Sequence, residues 1–340
     1  MESEIVTLTM NPAIDESASA ERLVPDLKMR CRDTVQEPGG GGVNVARALR
    51  RLGGDARAIY PRGGATGELL ERLLDAEGVH QSPIAIRGWT RRNFNVLETA
   101  TGRQYRFVLP GPELSEHEWR RCLAAIERAR PAPSYVVASG SLPPGVPADF
   151  YAQLAEIANR RQARFVLDCS GEPLRLAVQK PTFLLKSSLR EFGGLIGEEV
   201  SADSPDLAAR AMRLIRTIPC GALVLSLGAA GGLLVTRDSQ ERIPSPAVPV
   251  RSSVGAGDAM VAGIVRALSI GWPLAAAFRY GVAAGAAAVM NPGTQLCRRE
   301  DTEALYASLS GLEVARPGAA CSLPRENSQI IAIPARSASS

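Results

Sequence analysis

Short apolar runs alternate with amphipathic stretches of helical length along most of the chain, the pattern of an α/β protein with a doubly wound, mostly parallel sheet and helices on both faces. The runs Ile5–Met10, Ala56–Tyr60, Tyr135–Ser139, Arg164–Asp168, Phe183–Lys186 and Leu223–Leu227 are rich in β-branched or aliphatic residues, as buried parallel strands are. Between them Val45, Leu49 and Leu52 share one helical face, as do Leu69, Leu73 and Leu74. Two stretches, about 16–37 and 89–109, break this rhythm. Alternation in Asn93-Phe94-Asn95-Val96 and in Gln104-Tyr105-Arg106-Phe107-Val108 predicts exposed antiparallel strands, two parts of a small β-sheet lid that covers a site or builds a dimer contact. Near the end the composition turns to Gly, Pro, Ala, Ser and Arg. The expected organisation is therefore one α/β domain over 1–310, carrying the lid, and a poorly ordered tail over 311–340 in which Ile330–Ile333 could dock.

Composition narrows the function classes. Hydrophobic residues make up 45% and charged residues 22% of 340, the balance of an ordinary soluble enzyme. The net charge of +4 is small and basic residues are interspersed with acidic ones, so neither nucleic acid nor a membrane surface is an expected partner. Small anions remain. Only Lys28, Lys180 and Lys186 among the 39 basic residues are lysines. The six cysteines are widely spaced without a C-x-x-C, and His80 and His117 are the only histidines, which argues against zinc and against a disulfide framework. The amino terminus lacks the basic and long apolar regions of a signal peptide, so a reducing cytoplasm is the expected compartment.

Two glycine clusters carry the candidate chemistry. In Val254-Gly255-Ala256-Gly257-Asp258, small residues opening a helix let backbone N–H groups approach an anion, and the helix dipole favours negative charge there. Asp258 in the first turn can take a proton from a hydroxyl beside that cradle, as phosphoryl transfer to an alcohol requires. Taken alone, the segment equally fits a capping aspartate after a glycine turn. The second cluster, Gly39-Gly40-Gly41-Gly42-Val43-Asn44, also leads into a helix, leaving room for a ligand, with Asn44 able to hydrogen-bond sugar hydroxyls. No G-x-x-x-x-G-K-[ST] occurs, which excludes a P-loop, and the glycine spacing disfavours a dinucleotide site.

Together and in this order, the two clusters resemble the signatures of the PfkB (ribokinase-like) family of carbohydrate kinases. Thr7–Asp15, Lys28–Cys31, Thr90-Arg91 with Asn93, Tyr105–Val108, Ser139–Gly145 and Gly293–Cys297 are similar to segments of its hexose-phosphate branch. The resemblance spans about 4–309 and implies a ribokinase-like domain with a β lid. It implies Asp258 as base, with the amides of Gly255, Ala256 and Gly257 on the transferring group. For the sugar phosphate it implies Asp15 at the end of the first strand, the glycines 39–42 (Gly39, Gly40, Gly41, Gly42), Asn44, Ser139 and Ser141, with Lys28, Arg30, Arg91 and Arg106 on the existing phosphate. For ATP it implies Lys186, Ser188 and the turn Ser226, Gly228 and Gly231; for Mg²⁺, Glu191; and for K⁺, the region of Ser252, Val254, Ala288, Asn291, Gly293 and Gln295. It further implies a homodimer formed through the lid.

One position departs from the family pattern. Ser188 stands where the N-x-x-E segment carries asparagine, which puts in doubt the usual metal dependence and any inhibition by a second ATP. The resemblance implies phosphorylation of fructose 6-phosphate at its 1-hydroxyl, a reading favoured by Gly41 and Lys28-Met29-Arg30-Cys31. Kinases of fructose 1-phosphate or tagatose 6-phosphate share the scaffold, and Ser188 leaves a catalytically idle sugar-phosphate sensor as a rival of another class.

Overall fold

The computed structural model describes residues 4–311, so the expected tail with Ile330–Ile333 lies outside the described residues. The chain runs β1 (Ile5–Leu8), β2 (Ala13–Ala20), β3 (Arg32–Gly39), α1 (Gly41–Arg51), β4 (Arg57–Arg62), α2 (Gly64–Ala76), β5 (Gln81–Ala85), β6 (Arg91–Glu98), β7 (Arg103–Val108), α3 (Glu116–Glu127), β8 (Tyr135–Ser139) and α4 (Phe150–Arg160). It continues through β9 (Arg164–Asp168), α5 (Gly171–Ala177), β10 (Thr182–Ser188), α6 (Leu189–Ile196), α7 (Leu207–Thr217), β11 (Cys220–Ser226), β12 (Gly232–Val235), β13 (Gln240–Ile243), α8 (Ala256–Ser269), α9 (Leu274–Val289) and α10 (Arg299–Ser310).

The main sheet has nine strands in the order β13-β12-β11-β10-β9-β8-β1-β4-β5. All its pairs from β11 to β5 are parallel, while β12 and β13 close one edge antiparallel. Alternate strand residues feed two cores. Ile5, Tyr135, Val137 and Leu184 pack with α1, α2, α8, α9 and α10 on one face. Val6, Leu8, Val136, Ala138 and Leu185 pack with α3, α4, α5, α6 and α7 on the other. This double burial is why the strands read as unbroken apolar runs. Val45, Leu49 and Leu52 are buried as expected, but on α2 the buried residues are Leu70 and Leu74, with Leu69 and Leu73 at the margin.

The lid is a second, four-stranded sheet in the order β3-β2-β6-β7. Its two hairpin-like pairs are antiparallel, but β2 and β6 run parallel, contrary to the all-antiparallel expectation. Both strands follow the carboxyl ends of parallel strands of the main sheet, one after β1 and the other after β5, and so they enter the lid in one direction. A second correction concerns Asp15. The chain breaks at Asn11-Pro12 after β1, and Asp15 lies within the lid strand β2, opposite Glu37 of β3 and Asn93 of β6.

Candidate active site

The carboxyl ends of parallel strands are where open α/β sheets bind ligands, because loops diverge there and helix amino termini point inward. Here the ends of β8, β9 and β10 and the start of α8 open onto a cleft of about 330 Å³, covered by the lid. Its lining brings together Asp15, Asn44, Arg91, Arg106, Ser139, Ser141, Lys186, Glu191 and Asp258, residues drawn from eight elements and one loop of the chain.

Asp258 sits in the first turn of α8, behind Gly255, whose φ of 76° is the left-handed conformation glycine adopts freely. No side chain caps this helix, so its first amides are free to meet an anion. The carboxylate is held from two sides: Asn44 Nδ2 donates to Oδ2 at 3.0 Å and the Ser139 hydroxyl to Oδ1 at 3.2 Å. Desolvation, reinforced by the negative charge of Asp168, pushes its pKa up to about 6, against the two hydrogen bonds and Lys186, which favour the ionised form.

Lys186 supplies the cation. Its Nζ lies 3.0 and 3.3 Å from the Asp168 carboxylate oxygens, both side chains being almost wholly buried. A Cβ on Gly257 would come within 2.7 Å of that ammonium, so the charge sits directly over the open start of α8. Burial disfavours the charged lysine, yet Asp168, Glu191 and Asp258 outweigh it and hold the pKa above the ordinary lysine value. Asp168 was not singled out from sequence. A carboxylate ending the apolar run Phe165-Val166-Leu167, at the carboxyl end of a buried strand, was the available signal.

On the lid side Asp15 Oδ1 accepts from Asn93 Nδ2 at 2.7 Å, and burial raises its pKa while Arg91, Arg106 and Arg47 oppose the rise. Arg91 spends two nitrogens on the Leu109 and Asn11 carbonyls, each at 3.0 Å. The guanidinium of Arg106 is exposed and makes no hydrogen bond to another described residue. Asn93, Cys169 and Ser170 also line the cleft and were not expected there as site residues. The glycine loop works differently from its sequence reading. A Cβ at Gly39 would overlap the Asp15 carboxylate, at Gly41 the Ser139 hydroxyl and at Gly42 the Leu8 carbonyl. The space therefore serves close approach by neighbouring protein groups more than by a ligand, and Gly40 and Gly41 alone reach the cleft wall.

Lys28, Arg30, Ser188, Ser226, Gly228 and Gly231 stand apart from the cleft, as do the residues expected for potassium other than Val254. Lys28 and Arg30 lie in the exposed connection between β2 and β3. Ser226 is the register partner of Ser188 on β11, and Gly228 and Gly231, with φ of 60° and 93°, shape the turn into β12. Ser188 and Glu191 form a reciprocal capping box on α6, Glu191 Oε2 accepting the Ser188 N–H at 2.7 Å. Serine thus replaces asparagine without loss of the cap. One carboxylate beside the anion cradle fits a Mg²⁺ that arrives on nucleotide phosphates and keeps most of its water. The segments holding Ser252, Val254, Ala288, Asn291, Gly293 and Gln295 are laced together, with Arg251 N on Val289 O at 2.8 Å and Ser252 Oγ on Gly293 O at 2.6 Å. Their oxygens are hydroxyl, amide and carbonyl ones next to the carboxyl end of α9, a donor set that suits a monovalent cation.

The model of the pfkB family carbohydrate kinases matches residues 4–301. An ATP-dependent 6-phosphofructokinase isozyme 2 of Mycobacterium tuberculosis is 46% identical over 302 residues, 89% of this chain and 88% of the relative. Phosphofructokinase-2 of Escherichia coli in complex with potassium superposes with a TM-score of 0.86 at 40% identity, covering 91% of this chain and 99% of that one. The same enzyme in complex with fructose-6-phosphate gives 0.84 at 38% identity, with 91% and 99% covered. With a ribokinase-like sheet, its lid and both glycine signatures in place, the chain belongs to the pfkB family of carbohydrate kinases.

Proposed function

We propose that this protein transfers the γ-phosphoryl group of ATP to the 1-hydroxyl of fructose 6-phosphate, giving fructose 1,6-bisphosphate and ADP. The observation that carries the reading is the Asp258 carboxylate, held by Asn44 and Ser139 at the uncapped start of α8. The names of the relatives support the substrate and the use of ATP. With its pKa raised to about 6, Asp258 is mostly ionised at pH 7 and a stronger base than an ordinary carboxylate.

In the proposed reaction the sugar lies between the lid and the sheet, its hydroxyls toward Asp15 and its phosphate toward Arg91 and Arg106. Asp258 takes the proton of the 1-hydroxyl while that oxygen attacks the γ-phosphorus and the bond to ADP breaks. The amides of Gly255, Ala256 and Gly257, with Lys186, face the charge spreading over the transferred group. Ser188, Ser226, Gly228 and Gly231 would hold the nucleotide along β10 and β11. Mg²⁺ held through Glu191 would neutralise phosphate charge when bound. K⁺ held by the 252–254 and 288–295 segments would steady the loop that carries the cradle.

An assay of ADP release over a panel of phosphorylated sugars tests the reading. Fructose 6-phosphate should be turned over with the highest kcat/KM, and Arg106→Ala should raise its KM about 10–100-fold, the loss of one charge-assisted contact, at nearly unchanged melting temperature. Faster turnover of fructose 1-phosphate or tagatose 6-phosphate would reassign the substrate. No ADP release with any sugar would leave the sensor, which the intact base and cradle disfavour.

The lid also supports a homodimer. Val24, Leu27, Met29, Val35, Phe94, Leu97, Phe107 and Val108 are large apolar side chains exposed on its strands and the β2–β3 connection. Sedimentation should give twice the chain mass, and a Phe107→Asp variant should sediment as monomer. A wild-type monomer at micromolar concentration would reject the interface. No helix among the described residues is long and apolar enough to cross a membrane. The cysteines among them are free thiols, which suits the expected reducing compartment.

A further inference from the structure

Behind the base stands an arginine with no exposed surface. Arg47 on α1 is 0% exposed, and every nitrogen of its guanidinium is engaged. Nε donates to Glu77 Oε2 at 2.9 Å and Nη2 to Glu77 Oε1 at 2.5 Å, while Glu37 Oε1 lies 3.7 Å from Nη2. Nη1 gives one N–H to the Pro38 carbonyl at 2.7 Å and the other to Asn44 Oδ1 at 3.4 Å. Glu37 in turn accepts from Thr294 N at 3.1 Å and from its hydroxyl at 2.5 Å. Apolar packing would fill such a space at less desolvation cost, so stability alone does not account for a cation here.

What arginine does that packing could not is decide which way an amide faces. The two ends of the Asn44 side chain have nearly the same shape, but one donates and the other accepts. Arg47 has only donors. The end of Asn44 turned toward it must be the oxygen, which leaves the NH2 group facing Asp258 Oδ2 at 3.0 Å. With the amide reversed, two N–H donors would confront each other at one end and an oxygen would confront a carboxylate at the other.

We propose that Arg47 is a positioning residue for phosphoryl transfer: it locks the Asn44 amide in the orientation that donates to Asp258, and through Pro38 it ties that orientation to the lid strand β3. Arg47 is outside the lining of the cleft and acts on the base only through Asn44. The proposal rests on the reading of Asp258 as the base. Besides Asn44, that carboxylate faces Ser139 from β8, Asp168 from β9 and Lys186 from β10, and Glu191 of α6 lines the same cleft. Arg47→Lys changes none of these. It keeps a positive charge and loses the planar fork.

The test is a set of pH profiles of kcat/KM for the wild type, Arg47→Lys, Asn44→Ala and the double variant, with the Asp258 carboxyl carbon titrated in parallel by NMR. Losing a hydrogen bond to the ionised form raises the pKa, so the acid limb and the NMR midpoint should each move up by about one unit in both single variants. The double variant should move no further than Asn44→Ala alone, because one removed link leaves the other nothing to act through. An Arg47→Lys variant that merely melts earlier, with its titration in place, would overturn the proposal, as would shifts that add in the double variant. Should Arg47→Lys fail to fold, Glu77→Gln takes its place. It loosens the grip on Arg47 from the partly exposed end of the network, and a smaller shift of the same sign is expected, an unmoved midpoint counting against. The NMR titration needs no turnover, so absence of ADP release would refute the kinase reading while the carboxyl midpoints still decide the role of Arg47.

Discussion

Asp258→Asn is expected to lower kcat by about 10²–10⁴-fold, the range that a positioned general base contributes, and at the same time to make the protein more stable at pH 8. The first effect follows from geometry. The asparagine keeps the shape, accepts from Asn44 and can meet Ser139, so sugar-phosphate affinity should stay within about tenfold while the proton has nowhere to go.

The second effect follows from linkage. The Asp258 pKa is raised from 3.8 to about 6 in the folded chain, so the folded state binds the proton more tightly than the unfolded one. Below about pH 3 both states are largely protonated and the burial costs little. Between the two values the cost grows with pH, reaching at most about 3 kcal/mol above pH 6. Asparagine carries no such cost. The stability difference between variant and wild type should therefore be nearly absent at about pH 3, open between about 4 and 6, and hold steady above. Activity lost together with stability at pH 8 would instead mark Asp258 as a structural residue, and retained turnover would reject it as base. The wild type should also lose kcat/KM below a limb near pH 6.

How far this site could be read in advance depended on whether the information was local. β8 and β9 were legible to the residue, because Tyr135–Ser139 and Phe165–Asp168 are buried on both faces and carry no ambiguity of period. The start of α8 was legible too, since a glycine at positive φ followed by small residues is a local requirement of that helix start. The direction of β6 against β2 was not, because alternation records which face a residue takes and says nothing about which way the strand runs. Asp15 reads as the end of the first strand for a related reason: between Leu8, where β1 stops, and Ala13, where β2 begins, only Asn11-Pro12 marks the passage from one sheet to the other. Partnerships between distant elements were hidden altogether. Asn93 meets Asp15 across 78 residues of sequence through the register of β6 on β2, and Asn44 of α1 meets Asp258 of α8 across 214 through the packing of two helices.

The Lys186–Asp168 pair is the case where that hidden register has the largest consequence. Leu184 and Leu185 of β10 align with Val166 and Leu167 of β9, and continuing the register sets Lys186 beside Asp168. Lys186→Met is expected to lower kcat by about 10²–10³-fold, the effect of removing one electrostatic donor from the transferring group. It should also destabilise the fold by about 3–5 kcal/mol at pH 8, because Asp168 is left buried without its counter-ion. Burial already holds the Asp168 pKa above the ordinary carboxylate value, with Lys186 opposing the rise. Without the lysine both Asp168 and Asp258 rise further. A carboxyl whose folded pKa lies above its unfolded one costs stability only where it is ionised, so the destabilisation should be smaller at pH 5 than at pH 8. By the same argument the acid limb of kcat/KM should move from near pH 6 toward neutrality. Adding Asp168→Asn removes the stranded charge and should restore much of the stability without restoring the rate. A Lys186→Met variant equally destabilised at pH 5 and pH 8, or a double variant no more stable than the single one, would show that the lysine holds the strand ends by packing and that the charge pair is not what the cleft is built around.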